Sequence, residues 1–311
     1  MTDALNELRD VVLRHAPGGR REGRACPAPP PVLPGVTLWA ARGPIGPTPA
    51  MFEPMLYFAF QGAKRLSSGD RTVEYGAGTM FLASLDVPVM WTVLDATEER
   101  PYLAAALKLD PAVVAAMLLE LPPPTEAEMT EEVEALALAT ITEAMHDPLR
   151  RLLRLLDAPA DIPMLAPMFV RELLYRVLQS PRGIVLRQIG RTGSRLSQIQ
   201  RAVKWIRAHL AEPLPVETLA GIASMSVSSF HRHFKAATGL SPLAFHKQVR
   251  LQEARLRLLG SPGAVANVAF DVGYESASQF SREYARQFGV SPAKDVARLR
   301  GGARSPSSGG P

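Results

Sequence analysis

Residues Ala264–Pro292 read AVANVAFDVGYESASQFSREYARQFGVSP. Val265, Val268, Ala269 and Val272 fall on one side of a short helix, and Gly273 supplies the left-handed residue that ends it. Ser276 is placed to cap a second helix over 277–287, in which Phe280, Tyr284 and Phe288 recur at intervals of four. Ser278, Gln279, Ser281, Arg282 and Arg286 take the other side, and Gly289 closes the helix. Two short helices joined through a glycine form the pattern of a helix-turn-helix. Gln, Ser and Arg are side chains that bond base edges and phosphates. An ordinary helical hairpin with a solvated face satisfies the same pattern.

The pattern occurs once more, some fifty residues earlier. Val216, Leu219, Ala220 and Ala223 line a short helix over 215–223, and Ser224-Met225 makes the turn. Ser226 caps a helix over 227–237 whose inner face is Val227, Phe230 and Phe234, and Gly239 ends it. Ser228, Ser229, His231, Arg232 and Lys235 point elsewhere. Between the copies, residues 242–259 keep helical spacing through Phe245, Val249, Leu251, Ala254 and Leu258. Duplication of the motif across one long helix argues against the plain hairpin.

Charge divides along the same line. Residues 191–311 carry 17 basic and 7 acidic side chains, net +10, whereas residues 1–190 carry 18 and 23, net −5. A basic half displaces counterions from phosphates and so binds nucleic acid without sequence preference. At 311 residues with 47% hydrophobic content the chain allows about two domains. No apolar run reaches the roughly 18 residues of a membrane span. The acidic start, MTDALNELRD, has no apolar signal core, so a cytoplasmic protein is expected. A lone cysteine, Cys26, excludes an internal disulfide and a thiolate zinc cluster; it reads as a free loop thiol or a redox sensor.

Residues 197–300 resemble the DNA-binding domain of the AraC/XylS family of transcription regulators. The resemblance is carried by Leu219-Ala220, Met225-Ser226, Phe230, His233-Phe234-Lys235, Thr238-Gly239 and Ser241-Pro242 in the first half. Arg250-Leu251 and Glu253-Ala254-Arg255 carry it in the middle, and Val272-Gly273-Tyr274, Phe280-Ser281-Arg282, Phe288-Gly289 and Ser291-Pro292 in the second half. It implies that Ser228, His231 and Arg232 in one recognition helix, and Ser278, Gln279 and Arg282 in the other, face base edges. Lys235, Lys247 and Arg286 then serve phosphates, with Arg282 as an alternative phosphate contact. It also implies double-stranded promoter DNA and RNA polymerase as partners.

The first half reads differently. A helix is expected over 3–16, and a Pro/Gly/Arg-rich connector over 17–34. Short runs over 36–41, 55–61, 64–67, 71–75, 79–85, 89–93 and 102–108 alternate with turn signals such as Ser68-Gly69-Asp70. Regular short strands of this kind predict an antiparallel sandwich or barrel. Glu53-Pro54, Gln61-Gly62, Lys64-Arg65, Gly69-Asp70, Asp86-Val87-Pro88, Pro101-Tyr102-Leu103 and Leu109-Asp110-Pro111 resemble the N-terminal domain of one AraC subgroup. That resemblance implies a cupin-like barrel holding a small, unknown effector. Trp39, Tyr57, Phe58, Phe60, Lys64 and Trp91 are pocket candidates, each equally readable as core or, for Lys64, as surface. None of the six histidines lies between residues 36 and 109, so no histidine metal site and no cofactor is expected there.

Helices follow: one over 111–121, one capped by Thr130 and running to about His146, an apolar run over 149–156, and one over 163–179. By resemblance they mediate a homodimer; by the plainer reading they cover the barrel. Residues 180–197 read as a polar domain joint, 199–210 as the first helix of the DNA-binding domain, and 301–311 as a low-complexity, disordered tail.

The fold class expected is therefore α+β. An effector and dimerisation unit over 1–185 holds an antiparallel cupin-like barrel with flanking helices, and an all-α unit over 186–300 holds two helix-turn-helix motifs. The function expected is that of a non-enzymatic, dimeric, effector-responsive regulator without membrane contact. A regulator whose barrel only dimerises is the alternative. A cupin enzyme lacks its histidines, and a methyl-accepting repair protein would have to rely on Cys26 in its proline-rich loop.

Overall fold

The computed structural model describes residues 2–16, 33–123, 125, 131, 134–260 and 265–301. Cys26, the Thr130 cap and the 302–311 tail lie outside the described residues. Nine strands are described in the N-terminal half: β1 (Val36–Ala41), β2 (Ile45–Phe52), β3 (Met55–Gln61), β4 (Ala63–Ser68), β5 (Arg71–Gly76), β6 (Thr79–Ala83), β7 (Val87–Val93), β8 (Tyr102–Lys108) and β9 (Leu136–Thr140). They form two antiparallel sheets, ordered β1-β8-β3-β6-β9 and β2-β7-β4-β5.

Two of these strands depart from the sequence expectation. β2 carries Pro47 and Pro49 and was expected as loop. It is the edge strand of its sheet, where a residue without an N–H loses no ladder bond. β9 replaces the start of the helix expected to run to His146. Its sequence, LALAT, favours helix, but pairing along β6 from Thr79↔Thr140 to Ala83↔Leu136 overrides local preference.

Five helices cover the outer face of the five-stranded sheet: α1 (Thr2–His15), α2 (Pro111–Leu118), α3 (Glu143–Arg154), α4 (Ile162–Leu178) and α5 (Gly183–Ile189). Leu8 and Val12 of α1, Leu149 and Leu153 of α3, and Leu173 and Val177 of α4 bury against Leu56, Phe58, Phe60 and Leu103. α5 occupies much of the stretch expected as a polar joint, and the expected 185/186 boundary falls inside it. Val185 and Leu186 draw it into the core. Gly190 lets it approach α2 so closely that a Cβ there would lie 2.7 Å from Val114 Cγ1.

Seven more helices are described: α6 (Arg195–Ala208), α7 (Val216–Ile222), α8 (Val227–Thr238), α9 (Pro242–Gly260), α10 (Val265–Asp271), α11 (Ala277–Phe288) and α12 (Pro292–Gly301). α7–α8 and α10–α11 are the two helix-turn-helix units, and α9 joins them. The first unit is not packed separately from the barrel. One apolar cluster runs from Tyr57, Trp91 and Tyr102 between the sheets to Ile199 and Val203 of α6 and Phe230 and Phe234 of α8. The second unit has its own core of Leu251, Ala254, Val268, Val272, Phe280 and Tyr284.

Polar contacts seal the seam between barrel and first unit. Arg71 donates to Ala236 O at 3.1 Å, Ala135 N to Ala237 O at 2.8 Å, and Gln252 to Val89 O at 3.2 Å. Asp86 exchanges hydrogen bonds with Gln200 and takes the Arg207 guanidinium. At the β4–β5 turn Gly69, with φ +62°, touches the C-terminal cap of α8: a Cβ there would stand 2.6 Å from Gly239 O.

Gly69→Ala should therefore loosen the seam, costing about 1–3 kcal/mol in chemical unfolding. Gly78→Ala is the matched control, since Gly78 also has positive φ (+81°) but open space around it. A smaller loss at Gly78 than at Gly69 in the same titration checks that the seam contact, not turn strain alone, is responsible.

Candidate nucleic-acid interface and buried lysine site

The two helix-turn-helix units repeat each other in atomic detail. Met225 N donates to Ala220 O at 2.9 Å, and Tyr274 N donates to Ala269 O at 3.0 Å. The turn residues Ser224 and Gly273 both take positive φ, 57° and 87°. Ser226 Oγ accepts from Ser229 N as cap of α8, and Ser276 Oγ accepts from Gln279 N as cap of α11. Gly239 and Gly289 end the two helices in the left-handed conformation, at φ 75° and 74°. Phe230 and Phe234 in one unit, and Phe280 and Tyr284 in the other, bury the same helix face.

The opposite faces are open. Ser228, His231 and Arg232 on α8, and Ser278, Gln279 and Arg282 on α11, are all exposed, as are Lys235 and Arg286. Lys247 is tied to Glu283 at 3.1 Å. Gln279 Nε2 also reaches Glu283, at 3.3 Å, and Tyr274 Oη donates to it at 2.9 Å. Burial works to raise the Glu283 carboxyl, but hydrogen bonds from Tyr274, Lys247 and Gln279 outweigh it and hold it below the usual carboxylate range.

α9 sets the spacing, and its length is about 28 Å by helical rise. Its Arg250 binds three carbonyls at once: Leu210 at 2.7 Å, Glu212 at 2.8 Å and Gly273 at 3.0 Å. That clamp fixes the second turn to the loop after α6. Arg255 pairs through two bonds with fully buried Asp295, which also accepts from Tyr284, so α12 is locked across α9 and α11.

The second site lies between the sheets. Period-two alternation on β4 turns Lys64, Leu66 and Ser68 inward and Arg65 outward. Lys64 is only 3% exposed. Its Nζ lies 4.5 Å from the Trp91 ring centre and 4.6 Å from Tyr57, with Trp39, Phe52 and Tyr102 at 5.7, 5.8 and 5.9 Å. Such distances are within cation–π range. Among the described residues no carboxylate pairs with it; its hydrogen-bond neighbour is Tyr57 Oη at 3.5 Å, the outer limit of such a bond. Tyr102 Oη donates onward to Tyr57 Oη at 3.3 Å. Burial disfavours the ammonium and brings the Lys64 pKa down to about 7. Burial likewise pushes the phenols of Tyr57, Tyr75 and Tyr102 up.

Of the six pocket candidates, Trp39, Tyr57, Lys64 and Trp91 come together here. Phe58 and Phe60 do not: they lie on the other face of β3, under the helices. Phe52 and Tyr102 complete the cage, and Tyr75 and Phe81 stack beside it at 5.6 Å; none of these four is among the pocket candidates expected from sequence. Every strand from β1 to β8 thus sends one side chain to this cluster. Among the described residues no group of three or more His, Cys, Asp or Glu side chains could hold a metal ion, and no helix is long and apolar enough to cross a membrane.

Two family models match the chain: residues 32–185 match the AraC-type transcriptional regulator N-terminus, and residues 219–298 match a helix-turn-helix domain. The chain belongs to the AraC-type transcriptional regulators. Its helix-turn-helix segment is similar to the transcriptional activator RhaS of Escherichia fergusonii, 32% identical over 96 residues, or 31% of this chain and 34% of RhaS. It is also similar to the transcriptional regulator MtrA of Neisseria gonorrhoeae, 38% identical over 79 residues, 25% of this chain and 26% of MtrA. The matches thus span about a third or less of these relatives. Over the whole chain the fold is similar to ToxT of Vibrio cholerae: an apo structure covers 90% of this chain and 100% of its own at TM-score 0.53 and 11% identity. A fatty-acid-bound ToxT structure covers 86% and 95% at TM-score 0.54 and 11% identity. As an AraC-type regulator the chain is a DNA-binding protein with an antiparallel two-sheet domain and a helical domain.

The Lys64 amine gives this AraC-type regulator a measurable pH signature. Its folded pKa, about 7, lies below the ordinary 10.5, so between these values the unfolded chain binds the extra proton and stability rises with pH. The buried tyrosines oppose this only above about pH 10, where unfolded phenols ionise. Between about pH 7 and 10 the thermal midpoint of the wild type should climb relative to that of Lys64→Met. Parallel curves would assign Lys64 a solvated ammonium.

Proposed function

We propose that this protein regulates transcription in the cytoplasm as a homodimer that reads promoter DNA with α8 and α11 in successive major grooves. The observation that carries the reading is the pair of superimposable units, each with its apolar face buried and its Ser, His, Gln and Arg face open. Successive faces of one groove recur about every 34 Å, and α9 is a spacer of similar length. Arg232 and Arg282 have the donors for guanine, and Gln279 has the donor and acceptor for adenine. Lys235, Lys247 and Arg286 neutralise phosphates and set register. DNA contact also releases Lys247 and Gln279 from Glu283.

The N-terminal unit, in this reading, senses a small molecule. The Lys64 cage is coupled to the DNA-binding half along two strands. β4 runs from Lys64 to the Gly69 turn that abuts Gly239, the cap of α8. β7 carries Trp91 of the cage and Val89, whose carbonyl holds Gln252 of α9. An occupant that shifts either strand changes the pose of α8 relative to α11, and hence DNA affinity. For the homodimer, α4 offers an exposed face of Met164, Met168 and Tyr175 beside Leu119 of the α2 end. Recruitment of RNA polymerase completes the reading.

Binding-site selection followed by affinity measurement tests it. Gln279→Ala and Arg282→Ala should relax discrimination in one half of the site, by about 1–3 kcal/mol for each lost bidentate contact. Lys235→Ala should weaken binding to every sequence alike and reduce the salt slope by about one. Equal, sequence-blind losses in all three would remove Gln279 and Arg282 from base reading. Met168→Asp should shift a sedimenting dimer to monomer if α4 is the dimer face.

A further inference from the structure

We propose that the effector is a small apolar or aromatic aldehyde, held as an imine on Lys64. This rests on the reading of the barrel as a sensor and names the chemistry of the sensing site.

The argument starts from what the barrel does to an amine. Of the six lysines in the chain, Lys64 alone is buried among the described residues. Aromatic rings from five strands surround it, and among the described residues no carboxylate holds it as a counter-ion. A barrel that only needed a filled core would take Leu or Met at this inward position, as it takes Leu66 two residues on. A barrel that bound a cation would not place one of its own there. Desolvation instead keeps a share of the amine neutral near pH 7, and a neutral, desolvated lysine is the nucleophile of carbonyl chemistry. The groups facing Nζ from the neighbouring strands are phenols and indoles: Tyr57 on β3, Tyr102 on β8, Trp39 on β1 and Trp91 on β7. Tyr57 Oη, 3.5 Å from Nζ and itself accepting from Tyr102, is placed to pass a proton to a carbonyl oxygen bonding at Nζ.

The step balances without a redox partner. The Nζ lone pair forms the C–N bond as the carbonyl π pair moves to oxygen, which takes a proton from Tyr57. Tyr57 regains its proton from nitrogen, leaving a neutral carbinolamine. Tyr57 then passes a second proton to the hydroxyl as the nitrogen lone pair forms the C=N bond and the C–O bond breaks, water leaves, and the remaining N–H proton returns to Tyr57, so that one amine and one aldehyde become one imine and one water. Apolar rings favour an aryl or alkyl group on the aldehyde carbon. Trp39, half-buried on the edge strand β1, is the ring of the cage nearest solvent, and its movement opens the way in. The imine removes a titrating amine and adds bulk against Trp91, and β7 carries that change to Gln252.

The test uses the full chain with benzaldehyde and cyanoborohydride at pH 7, followed by peptide mapping. A single benzyl group on Lys64, formed at least tenfold faster than on any other lysine and separated by mapping from reaction at the N-terminal amine, is the expected result. Lys64→Arg should abolish that adduct, and Tyr57→Phe should slow its formation while leaving the slow labelling of exposed lysines unchanged. Labelling spread over the exposed lysines with Lys64 unmodified, in wild-type protein that melts cooperatively, overturns the proposal and needs no variant to fold. Benzyl alcohol, which forms no imine, separates this failure from that of the sensor reading. If the alcohol raises the thermal midpoint of wild type and Lys64→Arg alike and nothing is trapped, the barrel still senses but not by imine. If neither compound moves the midpoint and nothing is trapped, the proposal falls and the barrel's sensing role loses its support from this class.

Discussion

An apolar core that crosses from the barrel interior into the first helix-turn-helix is the constraint on which the other features depend. Tyr57, Trp91 and Tyr102 on one side, and Phe230 and Phe234 on the other, belong to one buried cluster. Burying apolar surface is the main favourable term in folding, so the barrel and α8 are held in one packed unit. The second helix-turn-helix has no share in that cluster. Among the described residues it is joined to the rest through α9, the clamps made by Arg250 and Arg255, and the close approach of Gly273 to Ala211. The molecule thus has one helix-turn-helix unit packed on the barrel and one carried by α9, and the angle between them is set by what α9 rests on. β2 and β7 are among its supports, through Val89 and its neighbours.

The polar part of the seam is weak by comparison, and this is what makes it adjustable. Asp86 is buried while Arg207 is about a third exposed, so the gain from their attraction is set against the cost of taking the carboxylate out of water. Their value lies in register: they hold β7 and α6 in one alignment without making that alignment expensive to change. Gly69 against Gly239 adds a backbone-to-backbone contact that tolerates no side chain.

Much of this was legible from residues alone, and the exceptions have physical causes. The duplicated motif was legible because its signals are local: caps at Ser226 and Ser276, left-handed ends at Gly239 and Gly289, and aromatic residues every fourth position. β2 was hidden because Pro47 and Pro49 break the strand signal, and edge position is a property of the whole sheet that its own sequence does not carry. β9 was hidden because Ala and Leu favour helix until β6 offers hydrogen bonds. Phe58 and Phe60 were grouped with Tyr57 because β3 is buried on both faces, so its run MLYFAF shows no alternation between apolar and polar. On β4 the alternation is intact, and Leu66 inward with Arg65 outward already places Lys64 inside. What the sequence could not supply was the set of rings from distant strands that makes this position dry.

A buried amine with no carboxylate beside it among the described residues bears on how the proposed sensor would work. An ammonium taken out of water without a partner costs several kcal/mol after relaxation, and rings at 4.5–5.9 Å recover only part of that. Lys64 therefore sits near a balance point between its charged and neutral forms at about pH 7. A ligand shifts a conformational equilibrium only by its difference in affinity for the two states. In the proposed mechanism a neutral adduct would provide that difference, because it would relieve the burial penalty only where Lys64 is held out of water. The same barrel built around methionine would be more stable and would have no charge state for an occupant to change. The lysine is in this sense a destabilising residue kept in the core, and under the proposed sensing role its change of state would have β4 and β7 as its routes to α8 and α9.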